Sequence, residues 1–440
     1  MKQLQAFKLL LAFCICSLIV QFVVIKIFWS AKVPVEDRTP ASKRALIAFR
    51  SLCRKQHIPV FIVEPLMLQK MFINSKRLGF NFTDFVNEEK LTTFAVFDTD
   101  LKDPIPLLRD FRDNGFGISQ SKADVPQFSS LGAQFNREIT SHYFLSYLDH
   151  VIHLVVFFKL QVDFLWHSAV KHIEPPILLS NRKQLFFVNQ AGAYNMFEIK
   201  DVIFEGELYA IPENSSKFLQ QVVHSRFIEC NHERAQQFYR MYPQDKSAES
   251  QRFLRKARQV LARAKQLLDD LEIPFWLSSG TCLGWFRQCD IITHSKDVDF
   301  GIQISDYKEK LIPTFETGGF FLKHLFGKMS DSYELSFQAG DIKLDVFFFY
   351  EENGYQWNGG TEVSSGKKYK YIFPRFLLCW TIFLDLKVRV PCDTEKYILA
   401  NYGPNWFIPV KEWDWKASPS NVRDNGVWPK EEWESVIQVY

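Results

Sequence analysis

The sequence predicts an α/β chain of the α+β kind, with two folded regions behind a single transmembrane helix. Three observations carry this. Leu9–Ile25 is an apolar run broken only by Ser17 and Gln21. Residues 44–225 carry hydrophobic runs separated by polar turns, the pattern of short strands in an α+β or mostly β region. Residues 250–271 place Leu254, Ala257, Leu261, Ala264, Leu268 and Leu271 at helical spacing, and strand-like runs follow Pro274.

Length and composition bound the answer. With 440 residues, 47% hydrophobic and 16% aromatic content and 43 Phe, the chain has a large core and is not a disordered protein. Its 53 basic and 50 acidic residues leave a net charge of +3. No basic stripe stands out, which excludes nucleic acid as a partner. Any phosphate recognition must be local.

The apolar run is slightly short of the roughly 20 residues a spanning helix needs. Ile27, Phe28 and Trp29 lengthen it, with Lys26 snorkelling at the interface. Trp29-Ser30-Ala31 puts a bulky residue where a signal peptidase wants a small one. Lys2 and Lys8 favour a cytosolic N-terminus, although Lys26 and Lys32 weaken the asymmetry. The expectation is a cytosolic tail at 1–8, a type II signal anchor at 9–29, a stem at 30–43 and a lumenal body. Sequons at Asn81 and Asn214 fit a lumenal body as N-glycosylation sites. Cys14 and Cys16 fall in the anchor, and Cys53, Cys230, Cys282, Cys289, Cys379 and Cys392 outside it. An even number fits an oxidising lumen and leaves the pairing open. No Cys-x-x-Cys occurs, so no structural zinc is expected.

Along the body, Pro59–Val63, Thr92–Phe97, Val151–Phe158, Asp163–Trp166 and Leu185–Val188 read as strands of an N-terminal α+β domain at 44–230. Residues 231–249 are rich in charge and read as a connection. Residues 250–440 read as the second domain. Its helix Ser250–Leu271 stops before Pro274. The strand Pro274–Leu277, the turn Ser278–Thr281, the amphipathic segment Cys282–Gln288 and the strand from Asp297 to Ile302 come next. A helix Asp306–Phe315 limited by Pro313, then strands Tyr333–Phe337 and Lys343–Phe349, complete the reading.

Strand alternation puts Asp297 and Asp299 on one face. Asp345 is the acid inside an apolar strand, costly to bury unless paired or metal-bound. Carboxylates so placed are hard ligands for a divalent cation. An isolated Asp-x-Asp is usually a solvated pair, and Asp345 alone would be a strand-edge acid capping a turn. The succession of turn, helix, two-acid strand and third acidic strand is more specific. Ser279, Gly280 and Thr281 offer hydroxyls and open backbone to a phosphate, although the same residues make a plain helix cap. Arg287, two turns on, is a bidentate phosphate ligand or a surface arginine. Lys296 pairs with the donor diphosphate or neutralises the acids. Together these point to phosphoryl transfer.

Other features compete. Asp98-Thr99-Asp100 follows a strand, as in metal-dependent glycosyltransferases, but without a phosphate turn it reads as a solvated turn. The run Gly366–Tyr371 holds three lysines that fit an anion or a solvated strand. Trp357, Trp380, Trp406, Trp413 and Trp415 stack on sugars or fill the core. His142, His150, His153 and His167 cluster in sequence, but a metal site there is not expected.

Gly280-Thr281-x-Leu283-Gly284-x-x-Arg287, Ile292, Asp297-x-Asp299 and Tyr402-Gly403 resemble the LicD family of phosphocholine and phospho-sugar-alcohol transferases. That resemblance covers about 250–440. FWLSSGTCLGW at 275–285, KLDVFFFYEE at 343–352, WNGGT at 357–361, WDWK at 413–416, VIQVY at 436–440 and HSRFIEC at 224–230 are similar to the fukutin branch of the family, over nearly the whole chain. The resemblance implies a nucleotidyltransferase-like mixed-sheet catalytic domain in a Golgi membrane enzyme. It implies transfer of ribitol 5-phosphate from CDP-ribitol to the terminal N-acetylgalactosamine of the phosphorylated O-mannosyl glycan of α-dystroglycan, releasing CMP. It implies a divalent metal, Mg2+ or Mn2+, on Asp297, Asp299 and Asp345, with Gly280, Thr281 and Arg287 at the donor phosphate. Asp345 is the expected proton acceptor. The implied partners are the fukutin-related protein, other O-mannosyl glycan enzymes and a second copy of the chain. Ser295 and Lys296 stand where LicD members carry further acids, which takes away the basis for a ligand before Asp297. Two rivals are a Golgi glycosyltransferase using Asp98 and Asp100, and a non-catalytic scaffold for glycosylation enzymes.

Overall fold

A computed structural model describes residues 40–74, 91–123, 139–148, 150–160, 164–177, 187–204 and 206–440. The expected tail, the anchor at 9–29, most of the stem and the sequon at Asn81 lie outside the described residues. No helix among the described residues is long and apolar enough to cross a membrane.

The N-terminal half runs α1 (Ala41–Lys55), β1 (Phe61–Ile62), α2 (Pro65–Asn74), β2 (Leu91–Phe97), α3 (Ile105–Asp113), β3 (Gly117–Ala123), β4 (Ile139–Tyr147), β5 (His150–Leu160), β6 (Phe164–His167), β7 (Gly192–Asn195), β8 (Ile199–Phe204), β9 (Glu207–Pro212) and α4 (Ser215–Val223). The sheet order is β1-β2-β5-β4-β3, with β6 and β7 continuing from β5. β2 and β5 are parallel, with Leu91 opposite Val151. Both are buried along most of their length, which explains their continuous apolar sequences. α1 buries Ala45, Leu46, Phe49, Leu52 and Cys53 on one stripe. Phe49 meets Phe94 of β2 at 4.9 Å and Phe111 of α3 at 5.5 Å. The expected strand Leu185–Val188 is a turn at 187–188, and its first two residues lie outside the described residues.

The C-terminal half runs α5 (His232–Met241), α6 (Ala248–Asp270), β10 (Phe275–Leu277), α7 (Ser279–Gln288), β11 (Asp297–Gln303), α8 (Leu311–Thr317), β12 (Phe321–Lys328), β13 (Asp331–Ala339), β14 (Ile342–Glu352), β15 (Tyr355–Thr361), β16 (Lys367–Pro374), β17 (Leu378–Phe383), β18 (Leu386–Pro391), α9 (Thr394–Tyr402), β19 (Val422–Val427), α10 (Trp433–Val436) and β20 (Ile437–Val439). Nine strands form a mixed sheet in the order β19-β16-β15-β14-β13-β12-β20, with β11 beside β14 and β10 beside β11. One face carries Val298, Phe300, Leu344, Val346 and Phe337, all buried. Phe315 of α8 packs on Phe337 at 4.9 Å, and α6 adds Ala257, Leu261, Ala264 and Leu268 to the same core. The opposite face carries the acids, with α7 and α9 beside them.

Two further sequence expectations change, and one open pairing closes. The helix expected at Asp306–Phe315 is a 3-10 turn at Ile304–Asp306 followed by α8. Pro313 lies in the first turn of α8, where its missing N–H removes no helical bond, so it opens the helix and does not limit it. Residues 231–249, read as a connection, hold α5, which Asn231 caps through Arg234 N–H at 2.8 Å. The open pairing resolves as Cys230–Cys289 and Cys379–Cys392, with Cys53 and Cys282 as buried thiols.

The halves are joined through the main chain. Trp380 N–H donates to the Arg226 carbonyl at 2.8 Å, and Ile228 N–H donates to the Trp380 carbonyl at 2.9 Å. Lys387 Nζ reaches Asn195 Oδ1 at 2.7 Å and lies 4.1 Å from the Trp380 ring centre.

Candidate active site

β11 and β14 run parallel, with Asp297 opposite Lys343 and Asp299 opposite Asp345. Ligand oxygens of Asp297, Asp299 and Asp345 all lie within 4.8 Å of one another. Asp299 is 5% exposed and Asp345 4%. Asp345 Oδ1 accepts from the Ser336 hydroxyl at 2.5 Å, and its Oδ2 pairs with Lys343 Nζ at 2.8 Å. Asp297 accepts from the Ser295 hydroxyl. Burial, then the charges of Asp297 and Asp345, hold the Asp299 carboxyl well above the usual range. Burial also raises Asp297, against the Ser295 hydrogen bond. Burial works against the Lys343 ammonium, but Asp345 together with Glu334 and Asp297 outweighs it and keeps the group charged. One ammonium beside three carboxylates leaves excess negative charge in a buried place. That hard-oxygen donor set fits a divalent cation.

The start of α7 closes one side. Ser278 N–H donates to the Asp299 carbonyl at 3.0 Å, and Ser278 Oγ lies 2.8 Å from the Tyr397 hydroxyl of α9. Ser279 takes a left-handed φ of 39°, which turns the chain into the helix. Thr281 N–H donates to Asp299 Oδ2 at 3.2 Å, and Asp299 N–H donates to Thr281 Oγ1 at 2.8 Å. Thr281 is 2% exposed. It therefore holds Asp299 in place, and its amide is not turned to a ligand as the sequence suggests. Ser279 and Gly280 keep partial exposure. A Cβ at Gly280 would stand 3.3 Å from Asp299 Oδ2 and 3.4 Å from Ser295 Oγ, so glycine lets the helix start approach the acids.

Two expected residues stand apart. Arg287 is buried, donating to Gln288 Oε1 at 2.8 Å and the Trp406 carbonyl at 3.4 Å, and lies over the Phe238 ring at 4.5 Å. It braces the far end of α7 and is not brought to the acids. Lys296 is exposed, and its left-handed φ of 63° kinks the chain just before Asp297. Sequence reading missed four groups. Ser295, Ser336 and Lys343 contact the acids directly, as above. Glu334 on β13 is pushed up to about 8 by burial and then by Asp345. The signal for Glu334 and Ser336 is their alternation with Leu335 and Phe337 in the strand expected there. α5 also went unread. Arg234 Nε donates to the Phe286 carbonyl at 2.7 Å, and its guanidinium covers the Phe286 ring at 3.6 Å. With Cys230–Cys289, this fixes the C-terminal end of α7.

The competing features resolve locally. Asp98 Oδ1 accepts from Lys159 N–H at 3.0 Å and Asp100 points to solvent. Among the described residues, only Asp297, Asp299 and Asp345 gather as a possible metal-binding group. Lys367, Lys368 and Lys370 on β16 pair with Asp424, Asp331 and Glu352, so they offer an anion little net charge. Trp357 stacks on Tyr350 at 4.5 Å and Trp406 packs on Phe286 at 5.0 Å. Trp413 and Trp415 stay 39% and 40% exposed. His142, His153 and His167 are buried together in the N-terminal sheet. Asn214 is exposed and caps α4 through Lys217 N–H at 2.9 Å.

Comparison with known proteins adds identity to this geometry. Residues 26–258 match the family model "Fukutin N-terminal". Residues 272–393 match the model "LicD/FKTN/FKRP, nucleotidyltransferase domain". The chain is 44% identical over 408 residues to the Homo sapiens protein named ribitol-5-phosphate transferase FKTN, covering 90% of this chain and 88% of that one. The Mus musculus protein of the same name is 42% identical over the same shares. An uncharacterized Caenorhabditis elegans protein is 32% identical over 200 residues, covering 42% of this chain and 51% of its own. The chain belongs to the fukutin family, with a LicD-type nucleotidyltransferase domain at its C-terminal end.

Proposed function

We propose that this chain is a ribitol-5-phosphate transferase that moves ribitol 5-phosphate from CDP-ribitol to a sugar hydroxyl and releases CMP. The names of the 42–44% identical relatives support the reaction class. The carrying observation is the convergence of Asp297, Asp299 and Asp345 beside the start of α7.

Asp297, Asp299 and Asp345 would hold a divalent cation, Mg2+ or Mn2+, which would offset the charge of the donor diphosphate. Thr281 and Ser295 orient Asp299 and Asp297. Gly280 and Ser279 offer the helix start to the diphosphate, and Lys296 at the mouth adds a cation. The acceptor oxygen attacks the ribitol-bearing phosphorus in line, the new P–O bond forms, and the bond to CMP breaks. The hydroxyl proton passes to a carboxylate of the cluster. Both oxygens of Asp345 already receive donors, so the half-buried Asp297 is the better acceptor.

The acceptor is the terminal N-acetylgalactosamine of the phosphorylated O-mannosyl glycan of α-dystroglycan. The enzyme is a single-pass type II protein of the Golgi membrane, anchored by 9–29, with 44–230 and 250–440 as lumenal domains. It carries N-glycans at Asn81 and Asn214 and works beside the fukutin-related protein. The apolar run and the sequons support this arrangement. The deciding experiment is CMP release from CDP-ribitol with acceptor glycopeptide, with and without EDTA, with the product mass read alongside. EDTA-sensitive release with a gain of one ribitol phosphate is expected. Transfer from a sugar nucleotide without phosphorus would overturn the reading.

A further inference from the structure

The segment 403–420 leaves α9 and returns to β19 with its ends pinned. Ser420 N–H donates to the Asn401 carbonyl at 2.9 Å, and Asn401 Nδ2 donates to Asn421 Oδ1 at 3.1 Å. Gly403 has a φ of 69°, and a Cβ there would meet Ser420 Oγ at 2.6 Å. Between those ends the segment runs from the Arg287 end of α7 to the β15–β16 part of the acid-bearing sheet face. Backbone of Val410 lies beside the His294 ring, just upstream of Asp297. Trp413 packs on Tyr402 at 4.9 Å, and Tyr402 closes α9, whose Tyr397 hydroxyl meets Ser278 Oγ at 2.8 Å next to Asp299. Farther along, Trp415 meets Tyr369 edge-on at 5.4 Å, and its carbonyl accepts from the Tyr371 hydroxyl at 2.9 Å. Tyr371 lies opposite Asn358, which lies opposite Phe349 of β14, on the face of the sheet that carries Asp345. A Cβ at Gly360 would come within 3.1 Å of the Trp415 ring, so glycine there lets the indole lie against the sheet.

Both indoles are held, not loose. Ser418 N–H donates to the Asp414 carbonyl at 2.8 Å, Lys416 N–H to Asp414 Oδ1 at 2.9 Å, and Asp414 N–H to Ser418 Oγ at 3.1 Å. Yet both remain more than a third exposed, while Trp276, Trp285 and Trp428 are buried. Indoles are mostly buried, so two held open over the acid-bearing sheet face and α9 present flat apolar faces to a ligand. Lys416 is neutralised by Glu362 at 2.7 Å, which favours an uncharged ring over an anion.

We infer that Trp413 and Trp415 form the acceptor subsite, stacking on the C–H faces of pyranose sugars and leaving the start of α7 to the donor diphosphate. This rests on the transferase reading above and adds to it the residues that recognise the acceptor. The test uses the purified full chain, CDP-ribitol, and an oligosaccharide ending in N-acetylgalactosamine. W413A and W415A should each raise the acceptor KM about tenfold, as loss of one stacking contact implies. The KM for CDP-ribitol and CMP release without acceptor should not change. W413F and W415F, which keep a flat ring, should recover most of the affinity. An unchanged acceptor KM in both alanine variants, or an equal rise in the donor KM, overturns the subsite. If the alanine variants melt early, tryptophan fluorescence of the unaltered chain titrated with the oligosaccharide decides. A saturable response upholds the subsite, and none at saturating glycan overturns it. A chain that never consumes CDP-ribitol but answers the glycan would sink the transferase reading and keep the subsite.

Discussion

Asp299 and Asp345 stand opposite each other on neighbouring parallel strands, both almost wholly buried. Two carboxylates in that position repel unless a proton or a cation sits between them. Replacing Asp299 or Asp345 with Asn keeps the volume and removes the charge. Transfer should fall by at least about a hundredfold, the scale seen when a charge-stabilising group in an active site is lost. CMP release would measure it, with circular dichroism melts to show that the fold persists.

The same crowding predicts a metal effect on stability. Mn2+ or Mg2+ should raise the melting temperature of the EDTA-treated chain, because a ligand that binds only the folded state stabilises it by mass action. Asp299→Asn should abolish that rise. An equal rise in the variant would place the ion elsewhere.

Gly280→Ala separates activity from stability. Position 280 is helical, where alanine is favoured over glycine by about 1 kcal/mol. Its Cβ would nevertheless press on Asp299 Oδ2 and Ser295 Oγ. The variant should melt no lower than the parent, while CMP release drops about tenfold or more, as small misplacements in a phosphate site do.

The buried histidines predict a pH dependence of folding. The Ser168 carbonyl accepts from His142 Nε2 at 2.8 Å and from His167 Nδ1 at 2.9 Å. His142 Nδ1 is then the acceptor for His153 Nε2–H at 2.9 Å. Burial pushes His142 down to about 4 and His167 to about 3, and burial with the help of both neighbours holds His153 well below its ordinary value. The unfolded chain takes up protons near pH 6.5 while the folded one does not. Stability from this cluster is therefore full above about pH 6.5 and declines as pH falls toward 4, by about 1.4 kcal/mol per pH unit for each histidine. Urea midpoints at pH 7.5 and 5.5 would measure the loss, and His142→Gln should flatten the slope.

Much of the site is legible in the sequence where local periodicity governs. Alternation along β11 puts Asp297 and Asp299 on one face, and an acid in the apolar run of β14 announces Asp345. Arg287 misleads because the motif is linear and the helix is not. Seven residues beyond Gly280, it lies about 10 Å farther along the axis, over Phe238. Glu334 and Ser336 reach Asp345 only through the register of β13 on β14, which no local pattern states. α5 reads as linker because only Ala235 and Phe238 of its ten residues are buried, too few for an apolar stripe. The cysteine pairs follow from tertiary approach, so spacing leaves them open.

The main-chain bonds at Trp380 remove the slack that a two-part protein ordinarily keeps at its waist. Arg226 and Ile228 grip one strand residue from the other half, and Lys387 bolts the same place to β7. The N-terminal half is thus clamped to the β17–β18 pair at this seam, and the two sheets move as one piece there. A substitution at Trp380 would loosen that seam while leaving Asp297, Asp299 and Asp345 themselves unaltered.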